Sequence, residues 1–212
     1  FDHCFIEGDT LETSDVVNGG AELFLYQSGY LTIKGYDDGV YILGFPNFEV
    51  RKALYRVVVP ALTMKSNSEV VSAQSFLRKM MQDGNTAEAK KALKALIADV
   101  PYSNKKMASM DMEERYRLIM STIFRALGFR VEVERMLATG RIDMIVEVPS
   151  IIYVLELKLS NNGGISAAES QIKEKSYTEP FKADKRKVIA LAVELDETGK
   201  GLIDWKEVDE SL

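Results

Sequence analysis

Asp143, Glu156 and Lys158 are the residues of this 212-residue chain whose types and spacing suit chemistry at a divalent cation. They lie on two apolar runs, 140–148 and 151–159, separated by Pro149-Ser150. Each run is rich in Ile, Val, Leu or Tyr, is of strand length, and is bounded by Pro, Ser, Asn or Gly. Side chains alternate along a strand, so Glu156 and Lys158 share a face that Leu157 does not. A hairpin with Pro149-Ser150 as its whole loop sets Asp143 directly opposite Glu156. Opposed Cβ atoms lie about 4.5–5.5 Å apart, close enough for two carboxylates to hold one ion. Pro149 suits a type I turn better than the primed turns of two-residue hairpins, so this register is an expectation.

The second run is apolar on both faces, with Ile152 and Val154 on the side of Glu156 and Tyr153, Leu155 and Leu157 on the other. That pattern predicts a central, covered strand, where an ionised Glu and Lys cost several kcal/mol unless paired or metal-bound. The competing reading is a Glu–Lys pair reaching water at a fraying strand end, since short D…ExK patterns arise often by chance.

A third acid, Glu113, opens the helix predicted over 112–127. Asp111 suits the cap and Glu114 a capping box, which leaves Glu113 without a structural duty. It is either a first-turn acid favoured by the helix dipole or a group reaching the same site. Gln171 and Lys175 stand one turn apart on a later helix, with Tyr177 beyond. They read as a solvated face, although Ala167, Ala168 and Ile172 around Gln171 suggest a packed surface. Arg141, two residues before Asp143, binds phosphate or caps the sheet edge.

Composition narrows the chemistry. One cysteine (Cys4) and one histidine (His3) exclude a disulfide framework, a zinc site, and Ser-His-Asp or Cys-His catalysis. Any metal must be oxygen-bound, which points to Mg²⁺ or Mn²⁺. The formal net charge of −5 argues against coating nucleic acid by bulk positive charge but leaves room for a local basic strip. No run is long enough to span a membrane and no signal peptide is visible, so a cytoplasmic protein without a membrane partner is expected. The start at Phe1 predicts a fragment or a processed product.

Periodicity and turn residues supply the scaffold. Residues 1–20 read as polar and turn-like. A short helix over 21–28 ends at Gly29, and strands 30–34 and 40–43 flank Asp37-Asp38-Gly39. Helices follow over 47–62, 68–82 and 86–98. The stretch 100–106 is the linker candidate, and the domain boundary is expected near 107. Beyond it come helix 112–127, strand 130–136, the hairpin, a loop at 161–164, helix 166–176, strand 186–195 and a short strand over 202–205. The expected class is α/β (α+β): an αβββαβ core with a mixed, helix-flanked sheet over 108–212, preceded by a smaller, mostly helical region with a hairpin.

Gly140-Arg141-Ile142-Asp143, Tyr153-Val154-Leu155-Glu156-Leu157-Lys158, Gln171-Ile172-Lys173-Glu174-Lys175-Ser176-Tyr177 and Trp205 together resemble the PD-(D/E)xK nuclease superfamily. Ile142 stands where the superfamily's name has proline. Ser28–Lys34 and Leu43–Arg51 look like the end of an AAA-ATPase-like region, so the chain resembles the C-terminal part of bacterial fusions of such an ATPase with a nuclease domain. No phosphate loop is present, so any ATPase core lies upstream. The resemblance implies a restriction-endonuclease-like core and Mg²⁺-dependent hydrolysis of phosphodiester bonds in nucleic acid, with DNA expected. Asp143, Glu156 and the Leu157 carbonyl would bind the metal, and Glu113 would help hold a second. Lys158 would orient water or stabilise charge, and Gln171 would support the site. Arg141, Lys175 and Tyr177 would contact substrate. The alternative is an idle nuclease-fold module used for binding or assembly. A third reading, in which the N-terminal half binds DNA as a winged helix, is opposed by its acidic Asp37-Asp38 turn.

Overall fold

A computed structural model describes residues 4–12, 20–98 and 110–209. The chain divides into two compact units, Phe1–Val57 and Val58–Leu212, the division falling within one helix.

The first unit holds β1 (Cys4–Glu7), α1 (Gly8–Glu12), α2 (Gly20–Gln27), β2 (Thr32–Asp37), β3 (Val40–Gly44) and the start of α3 (Phe48–Thr63). Its antiparallel sheet has the order β1-β3-β2. Asp37 pairs with Val40, and Asp38 and Gly39 between them both take positive φ, 40° and 86°. Two left-handed residues in succession make the tight turn whose twist matches paired strands, which is why the Asp-Gly signal was readable. β1 and α1 occupy residues expected to be turn-like. In β1 only Ile6 is buried, so four residues show no usable period, and the strand exists because β3 pairs with it.

The second unit holds α4 (Asn67–Asp83), α5 (Thr86–Ile97), α6 (Met112–Ala126), β4 (Arg130–Leu137), β5 (Gly140–Glu147), β6 (Ile151–Leu159), α7 (Gly164–Lys175), β7 (Lys187–Leu195) and β8 (Leu202–Val208). The sheet order is β4-β5-β6-β7-β8. All neighbours are antiparallel except β6 and β7, and α7 lies on the crossover between those two. This is the mixed, helix-flanked sheet expected from the sequence, and it is consistent with a restriction-endonuclease-like fold.

In β6, residues 151–157 are all buried. Tyr153, Leu155 and Leu157 pack into a cluster with α4, α5 and α6, while Ile152 and Val154 pack with Ala168 and Ile172 of α7. A strand covered on both faces needs an apolar run rather than alternation. The expected linker and the boundary near 107 lie outside the described residues. Packing divides the chain elsewhere, because α4 and α5 share the sheet's core through Leu77, Met81, Leu93 and Leu96. The Tyr153 hydroxyl donates to the Met81 carbonyl (2.6 Å) and the Trp205 indole N–H to the Thr86 carbonyl (3.0 Å). Periodicity reveals a helix's apolar face but not what will cover it.

A short 3₁₀ turn, Ser160–Asn162, leads from β6 to Gly163 and α7. Gly163 has φ +83°, and a Cβ there would lie 2.7 Å from the Cβ of Ala167. Neither atom has a flexible arm with which to retreat. Gly163→Ala is therefore expected to cost roughly 2 kcal/mol, from the left-handed backbone plus overpacking. A lowered urea midpoint with unchanged slope checks this, and an unchanged midpoint contradicts it.

Candidate active site

β5 and β6 pair as Met144↔Leu155, Ile145↔Val154, Val146↔Tyr153 and Glu147↔Ile152, and the Val148 N–H donates to the Ile151 carbonyl. This is the register that a Pro149-Ser150 loop demands. The ladder stops at Met144, so Asp143 is not a paired partner of Glu156. Beyond that point β5 continues against β4 through Ile142, Arg141 and Gly140, while β6 continues against β7 as far as Leu159. The strands part as a fork.

Asp143 sits at the crotch of the fork. The β4–β5 ladder also omits it: Val133 pairs with Met144 and Arg135 with Ile142, and the intervening Glu134 takes φ 55°. Asp143 thus has no backbone ladder partner on either side. The alternation of faces breaks here as well. Ile142 packs on the α7 side and Met144 on the opposite side, although residues two apart in a regular strand share a face. The kink directs the Asp143 carboxylate toward β6, where its Oδ2 accepts the Leu157 N–H at 2.9 Å. A side chain has replaced a strand's backbone acceptor.

Glu156 lies on β6, 1% exposed, and Asp143 is 3% exposed. The Lys158 ammonium donates to Glu156 Oε1 at 2.7 Å, while Glu156 Oε2 is buried without a hydrogen-bond partner. Burial first, and then the Asp143 carboxylate, push the Glu156 carboxyl up to about 8, against the opposing pull of Lys158. Burial alone would lower Lys158, but Glu156, Asp143 and Glu113 together outweigh it and raise its pKa. Both partners are raised because one amine stands among several acids. Its charge is well supported, whereas a second negative charge is not. Glu113 is raised too, by burial first and then by Asp143, which places this helix N-terminal acid in the same field.

Asp111 caps α6 by accepting the Glu113 N–H (3.1 Å), rather than that of Glu114. Further along the same helix, Arg117 places Nη1 3.4 Å from Asp143 Oδ1 and Nη2 3.2 Å from Glu134 Oε1. Arg117 is not among the site residues expected from the sequence. Its one available signal was its place beside the apolar stripe of α6, which it shares with Arg115 and Arg125 on the same helix. Arg141 is exposed and holds the same Glu134 Oε1 at 2.8 Å. The Gln171 amide donates to the Tyr177 hydroxyl (2.9 Å), which donates to the Arg141 carbonyl (2.7 Å). Tyr177 is fully buried, so it braces the splayed half of β5 from behind instead of facing a substrate. Lys175 is exposed beside Gly140, and its carbonyl accepts the Thr139 hydroxyl (2.9 Å).

Among the described residues, no three His, Cys, Asp or Glu side chains converge as a metal cage. The oxygen donors at the fork are the carboxylates of Asp143 and Glu156 and the Leu157 backbone. The unpartnered Glu156 Oε2 fits a hard cation, which would satisfy it and offset the repulsion between the acids. Glu113 contributes to the field without completing a cluster.

A family model described as the PD-(D/E)XK nuclease superfamily matches residues 111–205, from the cap of α6 into β8. An uncharacterised protein in the vnfD 5′ region of Azotobacter chroococcum mcd 1 is 26% identical over 216 residues. That alignment covers 95% of this chain, which therefore spans about 40% of the relative's length. No solved structure matches.

The raised Glu156 pKa has a direct consequence for metal-free protein. Between the ordinary carboxyl value of 4.5 and about 8, the folded state keeps a proton that the unfolded state has lost. Stability therefore falls as pH rises through that window and levels off above it. The urea midpoint is expected to fall from pH 5 to pH 8 in wild type, and Glu156→Gln is expected to flatten the slope. A parallel slope in both proteins would contradict this account.

Proposed function

We propose that the chain is a Mg²⁺- or Mn²⁺-dependent nuclease that hydrolyses phosphodiester bonds. The observation that carries this reading is the fork itself. Two buried carboxylates meet where two strands part, one bearing an ammonium and an oxygen without a donor. The superfamily match over the same elements points the same way.

Asp143 and Glu156 would hold the cation. A residue's N–H and C=O project to the same edge of an extended strand, so the Leu157 carbonyl shares the edge from which its N–H meets Asp143. When bound, a divalent ion lowers the pKa of water and neutralises charge developing on phosphate oxygens. Lys158, held protonated by the surrounding acids, supplies a donor and a positive charge beside Glu156, where it would orient water or stabilise the transition state. Glu113 would act on the site through its field or through water. Gln171 holds Tyr177 on the Arg141 carbonyl, and thereby holds the strand that carries Asp143. Arg141 and Lys175 are exposed and suited to backbone phosphates.

Nucleic acid, DNA in the first instance, is the proposed substrate. The ATPase-like character of the first unit's sequence makes an upstream ATPase domain the proposed partner. Among the described residues no helix is long and apolar enough to cross a membrane. One observation favours the idle-module reading: Asp143 already accepts the Leu157 N–H and pairs with Arg117.

Incubation with single- and double-stranded DNA and RNA plus Mg²⁺ or Mn²⁺, read on a gel, separates these readings. Wild type is expected to cleave, and Asp143→Ala and Lys158→Ala are expected to lose about 10²-fold or more while remaining folded. Equal product from wild type and Asp143→Ala would sink the assignment, as would inactivity of wild type across all substrates and both metals.

A further inference from the structure

Arg117 is a strong charge at the fork that the proposed chemistry leaves without a task. Its side chain is 12% exposed, so its guanidinium depends on protein partners. It has two, Asp143 Oδ1 and Glu134 Oε1, at 3.4 and 3.2 Å. Both contacts are longer than the about 2.7–2.9 Å of a tight charge-assisted hydrogen bond. Glu134, in turn, is held in the left-handed region at φ 55°, and its Oε1 also takes Arg141 at 2.8 Å. The residue opposite the kink therefore offers one carboxylate oxygen to two guanidinium groups, one of which also reaches the carboxylate proposed to bind metal.

We infer that Arg117 is a resident counter-cation that competes with a divalent metal for Asp143, and that Glu134 sets the strength of that competition. The inference rests on the metal-dependent reading above. Arg117 lies against Asp143 Oδ1, whereas Oδ2 is committed to the Leu157 N–H. A cation approaching Asp143 must share or displace this guanidinium. Glu134 is the alternative seat, since it already binds the other arm of Arg117 and keeps it beside Arg141. Displaced toward Glu134, Arg117 would join Arg141 in a pair of positive groups sharing one negative one, an arrangement suited to an anionic phosphodiester. Arg117 is thus a positioning residue whose charge opposes metal binding in the absence of substrate.

The sign of the effect separates this role from a purely structural one. If Arg117 only holds Asp143 in place, removing it weakens metal binding. If it competes, removing it tightens binding, by about tenfold for loss of a like charge a few ångströms away in a partly screened site. The experiment is Mn²⁺ titration by calorimetry of wild type, Arg117→Met, Glu134→Gln, the double variant and Asp143→Asn, with circular dichroism to verify folding. Arg117→Met is expected to bind Mn²⁺ about tenfold more tightly. Glu134→Gln should bind it more weakly, because Arg117 then turns fully to Asp143, and this weakening should shrink by more than half in the Arg117→Met background. Equal or weaker binding by folded Arg117→Met overturns the inference. If wild-type binding is still abolished by Asp143→Asn, the metal-site reading survives that result. Absence of Mn²⁺ binding in both wild type and Arg117→Met overturns both. Should Arg117→Met not fold, Glu134→Gln decides, and wild-type affinity in that variant overturns the inference.

Discussion

The hydrogen bond from the Leu157 N–H to Asp143 Oδ2 organises the rest of the site. A strand that leaves its neighbour strands a row of backbone groups, and buried N–H groups without acceptors are costly. Here one carboxylate supplies an acceptor as the ladder ends, so the sheet can open without leaving that donor orphaned. The same bond ties an acid to the point of divergence. The left-handed turn of Glu134 on the other flank of β5 completes the release of Asp143 from both ladders. Bracing of the parted strand falls to α7 and its C-terminal end, through Gln171 and Tyr177.

What the fold gains in geometry it loses in electrostatics. Glu156 lies deep in the sheet with a second carboxylate close by, and its own ion-pair partner is the Lys158 ammonium. The carboxyl consequently holds its proton well above the ordinary range, and one of its oxygens lacks any donor. Cores usually exclude this combination, because an apolar pair of similar volume is often as stable or more so. α6 adds two further charges, Glu113 and Arg117, four residues apart.

Much of this was legible in the residues. The run Ile151–Leu159 announced a covered central strand, and Pro149-Ser150 fixed a register that the structure reproduces at four successive pairs. Glu156 and Lys158 followed from alternation. The kink did not. Period-two reasoning assumes a regular strand, and it set Asp143 opposite Glu156 as a ladder pair, whereas the acid reaches the site because the strand ceases to be regular there. Glu134 gave no signal, since positive φ at a non-glycine residue is imposed by tertiary contacts rather than by local preference. Arg117 was hidden for a related reason: its partners are 17 and 26 residues away, and no periodicity links them. Tyr177 was misplaced because a tyrosine at a helix end reads equally as surface or core. β1 was invisible because its pairing strand, not its own pattern, makes it. The packing role of α4 and α5 was equally silent, since an amphipathic face does not name its partner.

On the proposed reading, Asp143 and Glu156 converge at the strand fork to hold a divalent cation. Anomalous diffraction from crystals soaked in Mn²⁺ tests it most directly. A manganese peak beside the carboxylates of Asp143 and Glu156 is the expected result. Manganese bound elsewhere, with these two side chains unmoved and no peak between them, would contradict it.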